Sequence, residues 1–145
     1  MKRFLPSLLA VAVLLAALSL PVGAAEPAFK IIVSSGSSAS SLTKQQASDF
    51  FLKKVTKWSD GTIVTPVDLP ANSAVREAFS KAIHGRSAAA IASYWQQQFF
   101  SGRETPPAEK ANDAAVLAFV KDNANAIGYV SGEAAVTGVK VITVQ

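Results

Sequence analysis

The sequence predicts a layered α/β domain, a mixed sheet of about four strands flanked by about four helices. Three observations point there. Short runs rich in β-branched and aromatic residues stand near both ends of residues 29–144, as strands require. Between them, apolar residues recur at helical spacing in several stretches. Capping residues or glycines bound those stretches.

In chain order, residues 29–33 (Phe-Lys-Ile-Ile-Val) read as the first strand, and 34–41 as a serine-rich polar loop. Thr43 and Gln46 have capping-box spacing and open a helix with Ala47, Phe50, Phe51 and Val55 on one face. The Asp60-Gly61 pair marks a turn, and 62–67 is a second strand. Asn72 or Ser73 caps the next helix. Its stripe of Val75, Ala78, Phe79, Ala82 and Ile83 is the cleanest in the chain, and Gly85 stops it. Ser87 opens a third helix with Ala88, Ile91, Ala92, Trp95 and Phe99 inward, ended by Gly102. After the rigid Thr105-Pro106-Pro107 loop, a fourth helix runs from about residue 113 to 123, with Val116, Phe119 and Val120 inward. Residues 126–130 and 139–144 are the closing strands. They are expected to pair as an antiparallel hairpin or to end at a sheet edge.

Ahead of this domain, Lys2 and Arg3 precede an apolar block that no polar side chain breaks from Leu8 to Leu18. Pro21 and small residues follow, the pattern of a secretory signal peptide over residues 1–25. The alternative is a retained membrane anchor, but the block falls short of the ~20 apolar residues of a spanning helix. Cleavage after Ala24 or Ala25 leaves a domain of residues 26–145, enough for one core. There are no cysteines, so disulfides, thiolate catalysis and cysteine metal sites are excluded. An exported chain without disulfides suits a bacterial periplasm. Without Lys2 and Arg3 the net charge falls from +4 to +2, which is not the balance of a nucleic-acid-binding protein.

Few residues offer chemistry. His84 is the only histidine and sits on the last turn of the second helix, where the dipole favours a cation. No histidine or cysteine set offers a metal site, and no cofactor is expected. A hydrolase would need a serine, His84 and an acid in one pocket, and no Gly-x-Ser-x-Gly elbow is present. The acids are scattered and form no evident catalytic pair. Lys53, Lys54 and Lys57 read either as a solvated helix end or as a lure for an anion or an acidic surface. Trp95 and Phe99 read as core, whereas Tyr94 and Phe100 lie off that stripe as surface contacts. Two loop-to-helix junctions, 34–43 and 68–76, present hydroxyls and free N–H groups at helix starts, where an anion is stabilised. Arg76, in the first turn, adds a fork of donors. The plain alternatives are a flexible polar loop and ordinary capping.

The order and spacing of several segments resemble the phosphate ABC transporter substrate-binding family. They are Ser41-Leu42-Thr43 through Phe50-Phe51-Leu52, Lys57-Trp58-Ser59-Asp60-Gly61, and residues 63–67. Arg76-Glu77-Ala78-Phe79, Tyr94-Trp95, residues 99–107 and Ala126-Ile127-Gly128-Tyr129-Val130 continue the match over essentially the whole mature chain. The resemblance implies one periplasmic-binding-protein-like lobe. Relatives of full length have two such lobes, which close on phosphate or a similar oxyanion through hydroxyls, helix-start N–H groups and an arginine. In relatives an arginine precedes a Ser-Gly-Thr triplet at the ligand helix. Here Ser73, Ala74 and Val75 fall at that triplet, and Asp68 or Leu69 falls at the arginine.

The expected protein is a periplasmic binding or interaction module linked to ABC-type phosphate uptake or sensing, and not an enzyme. Its expected oxyanion donors are Ser35, Ser37, Ser38, Ser73 and Arg76. The alternative is a lobe that has lost its ligand and serves a membrane sensor or transporter subunit, or pairs with itself. That alternative expects an exposed apolar face where a second lobe would sit.

Overall fold

A computed structural model describes residues 28–145. The expected signal peptide and its cleavage positions lie outside the described residues. The strands are β1 (Phe29–Ser34), β2 (Ser41–Leu42), β3 (Thr65–Asp68), β4 (Ala108–Glu109), β5 (Ala126–Ser131) and β6 (Val139–Val144). The helices are α1 (Lys44–Phe51), α2 (Ala74–Phe79), α3 (Ala88–Phe100) and α4 (Asp113–Asp122). A π-helical turn, Ser80–His84, prolongs α2 to a left-handed Gly85. The mixed α/β architecture is as the sequence predicts. The sheet has six strands, in the order β2-β6-β1-β5-β3-β4, and not about four. The two extra strands are two-residue edge pairings, too short to leave a periodic pattern.

β1 runs antiparallel to both β5 and β6 and separates them. The closing strands therefore do not form the expected hairpin. β5 instead pairs in parallel with β3, and β3 with β4. The β5–β6 connection crosses β1, because β1 offers each closing strand a fully apolar partner at Ile31, Ile32 and Val33.

Alternation along β5 assigns helices to both faces. Gly128 faces α4, and a Cβ there would meet Val116 at 2.8 Å and Val67 at 3.0 Å. Only a glycine lets α4 approach this closely. The next residue, Tyr129, points the other way and stacks on Phe79 at 3.9 Å with Phe51 edge-on to both rings. A smaller cluster of Leu52, Ile91 and Trp95 seats α3 beside this layer.

Capping of the first three helices matches the sequence, and α4 adds a cap it did not name. Thr43 and Gln46 form the capping box of α1, and Ser73, Ser87 and Asn112 cap α2, α3 and α4. Three stripe positions fail to turn inward, and one of them is Ala82, exposed on the π-helical turn. α1 ends at Phe51, so Val55 lies beyond it and is 43% exposed. Phe99 is 60% exposed, because the last turn of α3 runs past the small cluster into solvent.

Candidate functional site

The turn from β3 into α2 carries the polar constellation of the molecule. Asp68 closes β3 and is buried, as is Arg76 in the first turn of α2. Arg76 Nη1 donates to the Leu69 carbonyl at 2.8 Å and to Glu109 Oε1 at 2.7 Å. Its Nη2 lies 3.8 Å from Asp68 Oδ2. The Tyr129 hydroxyl donates to Asp68 Oδ1 at 2.7 Å and accepts from the Leu69 N–H at 3.3 Å. Burial pushes the Asp68 carboxyl above its usual range, against the pull of Arg76 and Tyr129. Burial also works against the Arg76 charge, yet Asp68 and Glu109 outweigh it and raise its pKa. The Tyr129 phenol is held well above its usual range by burial and by Asp68. This network holds the turn rigidly from below.

Above it, Ser73 Oγ accepts from the Arg76 N–H at 3.3 Å. Asn112 Oδ1 does the same for Ala115 N–H at 3.0 Å. The two helix starts face one open depression of about 540 Å³, lined by Asn72, Ser73, Val75, Asn112, Asp113 and Ala114 among others. The amides of Ala74, Val75, Asp113 and Ala114 donate to no acceptor among the described residues. Such paired helix openings carry partial positive charge and suit an anion. Asp113, itself in the lining, accepts at its carboxylate from the Ser131 N–H at 3.2 Å.

The five expected donors do not converge. Ser73 borders this depression. The Arg76 fork turns away from it and is committed to Asp68, Leu69 and Glu109, because a buried guanidinium must satisfy its donors internally. Ser35, Ser37 and Ser38 lie at the opposite end of the sheet. Val33 pairs with Ile127, near the start of β5, whereas β3 begins level with Ala126 and runs away from there toward Asp68. The serine loop borders a hollow of about 150 Å³ shared with Asp60 and Thr62. Ser37 Oγ accepts from the Ala39 N–H at 3.2 Å, and the Ser37 carbonyl accepts from Lys140 Nζ. One anion cannot touch both groups.

The sequence places the start of α4 near residue 113, as observed, but does not announce Asn112 as part of this site. An Asn-Asp pair ahead of an apolar stripe is a visible cap signal. What places it opposite Ser73 is the pairing of β3 with β5, which is non-local.

His84 lies elsewhere, with Nδ1 2.8 Å from Ser48 Oγ and its ring edge-on to Phe79 at 5.5 Å. Burial, with the charges of Arg76, Lys54 and Arg86, lowers its pKa to about 4, so it is neutral near pH 7. Its hydroxyl partner sits on helix α1, and among the described residues no carboxylate hydrogen-bonds the ring. No group of three metal-ligating side chains occurs among the described residues.

No protein-family model and no curated protein matches the chain. Solved structures do. A phosphate ABC transporter substrate-binding protein with bound phosphate, from Clostridium perfringens, aligns at a TM-score of 0.63 and 21% identity, over 83% of this chain and 47% of that one. An ABC-type phosphate transport receptor from Vibrio cholerae aligns at 0.63 and 18%, over 82% and 48%. PstS from Borrelia burgdorferi aligns at 0.56 and 10%, over 81% and 47%. The chain spans slightly under half the length of these structures, and what it shares with them is the fold of one periplasmic-binding-protein-like lobe.

Proposed function

We propose that this protein is an exported solute-binding-type lobe that takes inorganic phosphate or a similar oxyanion, in the service of ABC-type uptake or sensing. The observation that carries the reading is the depression between the starts of α2 and α4, where first-turn amides of both helices stand beside Ser73. Two helix dipoles pointing at one hollow stabilise negative charge there without a formal cation. The neighbours named for phosphate support the same ligand class. In this reading Ser73 is the side-chain donor, and Arg76 serves by locking the turn. Ser35, Ser37 and Ser38 belong to a separate surface at the other end of the sheet. Export follows from the leader-like residues 1–25.

Ligand that binds only the native state raises the melting temperature. The test is a thermal-shift series with millimolar phosphate and sulfate on the wild type and on Ser73→Ala. A phosphate-dependent rise that Ser73→Ala reduces is expected. No rise with either anion overturns the proposal.

A further inference from the structure

A separate hollow lies between helix α1 and the segment that follows it. It holds about 410 Å³ and shares no lining residue with the depression at Ser73. Hollows of about 300–1,000 Å³ with apolar walls and a few polar groups are the usual seats of small molecules. Here Leu42, Phe50 and Trp58 supply apolar wall, and Gln46, Asp49 and Lys57 supply polar groups.

The fold holds this wall in place. Phe50 is buried on α1, and Trp58 packs on it with ring centroids 4.8 Å apart. The Trp58 Nε1–H donates to the Asn125 carbonyl at 3.1 Å, so the indole offers the hollow apolar surface and no donor. The Trp58 N–H donates to the Thr62 carbonyl at 2.8 Å and the Val64 N–H to the Thr56 carbonyl at 2.9 Å, an antiparallel pairing that fixes the segment carrying Lys57 and Trp58. On the other side, the Asp49 carbonyl accepts from the Lys54 N–H at 2.9 Å and the Val55 N–H at 3.2 Å.

The charges decide what the hollow takes. The half-buried Asp49 accepts from Gln45 Nε2 at 2.8 Å through one oxygen, Oδ1. Neither Asp49 nor Lys57 has an ion-pair partner among the described residues, and they do not pair with each other. A simple anion is opposed by Asp49, and a simple cation by Lys57. A molecule with both an ammonium and an acid group satisfies the two at once.

We infer that this hollow binds a small zwitterion with an apolar body, the chemistry of an apolar α-amino acid. Asp49 takes the ammonium and Lys57 the carboxylate, while the apolar body lies against Phe50 and Trp58. Gln46 Oε1 accepts from the Thr43 N–H at 2.9 Å, which leaves Nε2 as a second donor to the carboxylate. The site stands apart from the anion depression and does not depend on it.

The test titrates isotope-labelled protein, expressed with its own leader, with L-phenylalanine and follows the indole N–H signals of the two tryptophans by NMR. Trp58→Phe assigns them. The Trp58 signal is expected to move and saturate at millimolar ligand or below, while that of the buried Trp95 stays. Inorganic phosphate should leave the Trp58 signal in place. Phenethylamine and hydrocinnamate, each with one of the two charges, should bind about tenfold more weakly or worse, the scale of a lost hydrogen bond to a charged group. Asp49→Asn and Lys57→Gln should each weaken phenylalanine binding by a similar factor, and circular dichroism confirms that both fold. A Trp58 signal unmoved at up to about 10 mM phenylalanine overturns the inference. So do single-charge analogues that bind as tightly as phenylalanine, or variants that both bind it like the wild type.

Discussion

Arg76 Nη1 and Glu109 Oε1 meet at 2.7 Å, so one ion pair fastens helix α2 to the two-residue edge strand β4. Behind it, the same guanidinium faces the buried Asp68. Removing one partner of a buried pair leaves the other uncompensated. Arg76→Met is therefore expected to destabilise the protein by about 3–5 kcal/mol. Adding Asp68→Asn should restore part of that loss, a coupling that urea unfolding of the double-mutant cycle measures.

The Tyr129 hydroxyl serves Asp68 and Leu69 at once. Tyr129→Phe keeps the ring stack on Phe79 but orphans a buried acceptor and a buried N–H. A loss of about 1–3 kcal/mol in chemical denaturation is expected.

Gly128 admits α4 to the sheet, and a methyl group there would meet Val116 Cγ1 at 2.8 Å. Gly128→Ala is expected to cost about 1–3 kcal/mol through overpacking. Pairing it with Val116→Ala should relieve part of the strain, so the two changes together should cost less than their sum.

The buried His84 imidazole gives the fold an acid-sensitive element. Its pKa is lowered from 6.5 to about 4 in the folded state, so between those values the unfolded chain binds the extra proton. Its stabilising share is complete above pH 6.5, declines as the pH falls, and is gone below about 4. That share is at most about 3 kcal/mol. The raised Asp68 carboxyl acts with the opposite sign, losing stability as the pH rises. The His84 share is therefore read from the difference between wild type and His84→Gln in melting curves across this window. Equal slopes for the two proteins would refute it.

The sequence made legible whatever depends on neighbours along the chain. Thr43, Ser73 and Ser87 cap the helices they were expected to cap, and Gly85 takes its left-handed conformation at the expected stop. The apolar stripe of the second helix is buried at Phe79 and Ile83, but its widening into a π-turn leaves no mark in the spacing. Long-range pairing stayed hidden. Nothing near Arg76 announces Glu109, which is 33 residues away, and no periodicity separates β5 from β6 by an intervening β1. The site suffered most from this. Ser73 was visible as a cap, while its counterpart Asn112 and the distance from the serine loop emerge only from strand register.

The central position of β1 has a consequence for biogenesis. The earliest strand to leave the ribosome cannot complete its ladders until both of the last strands have been made, so native topology is of high contact order. A nascent chain of this design leaves β1 unpaired until β5 and β6 have followed it. Loss of β6 is therefore fatal to the middle of the sheet and not merely to its rim.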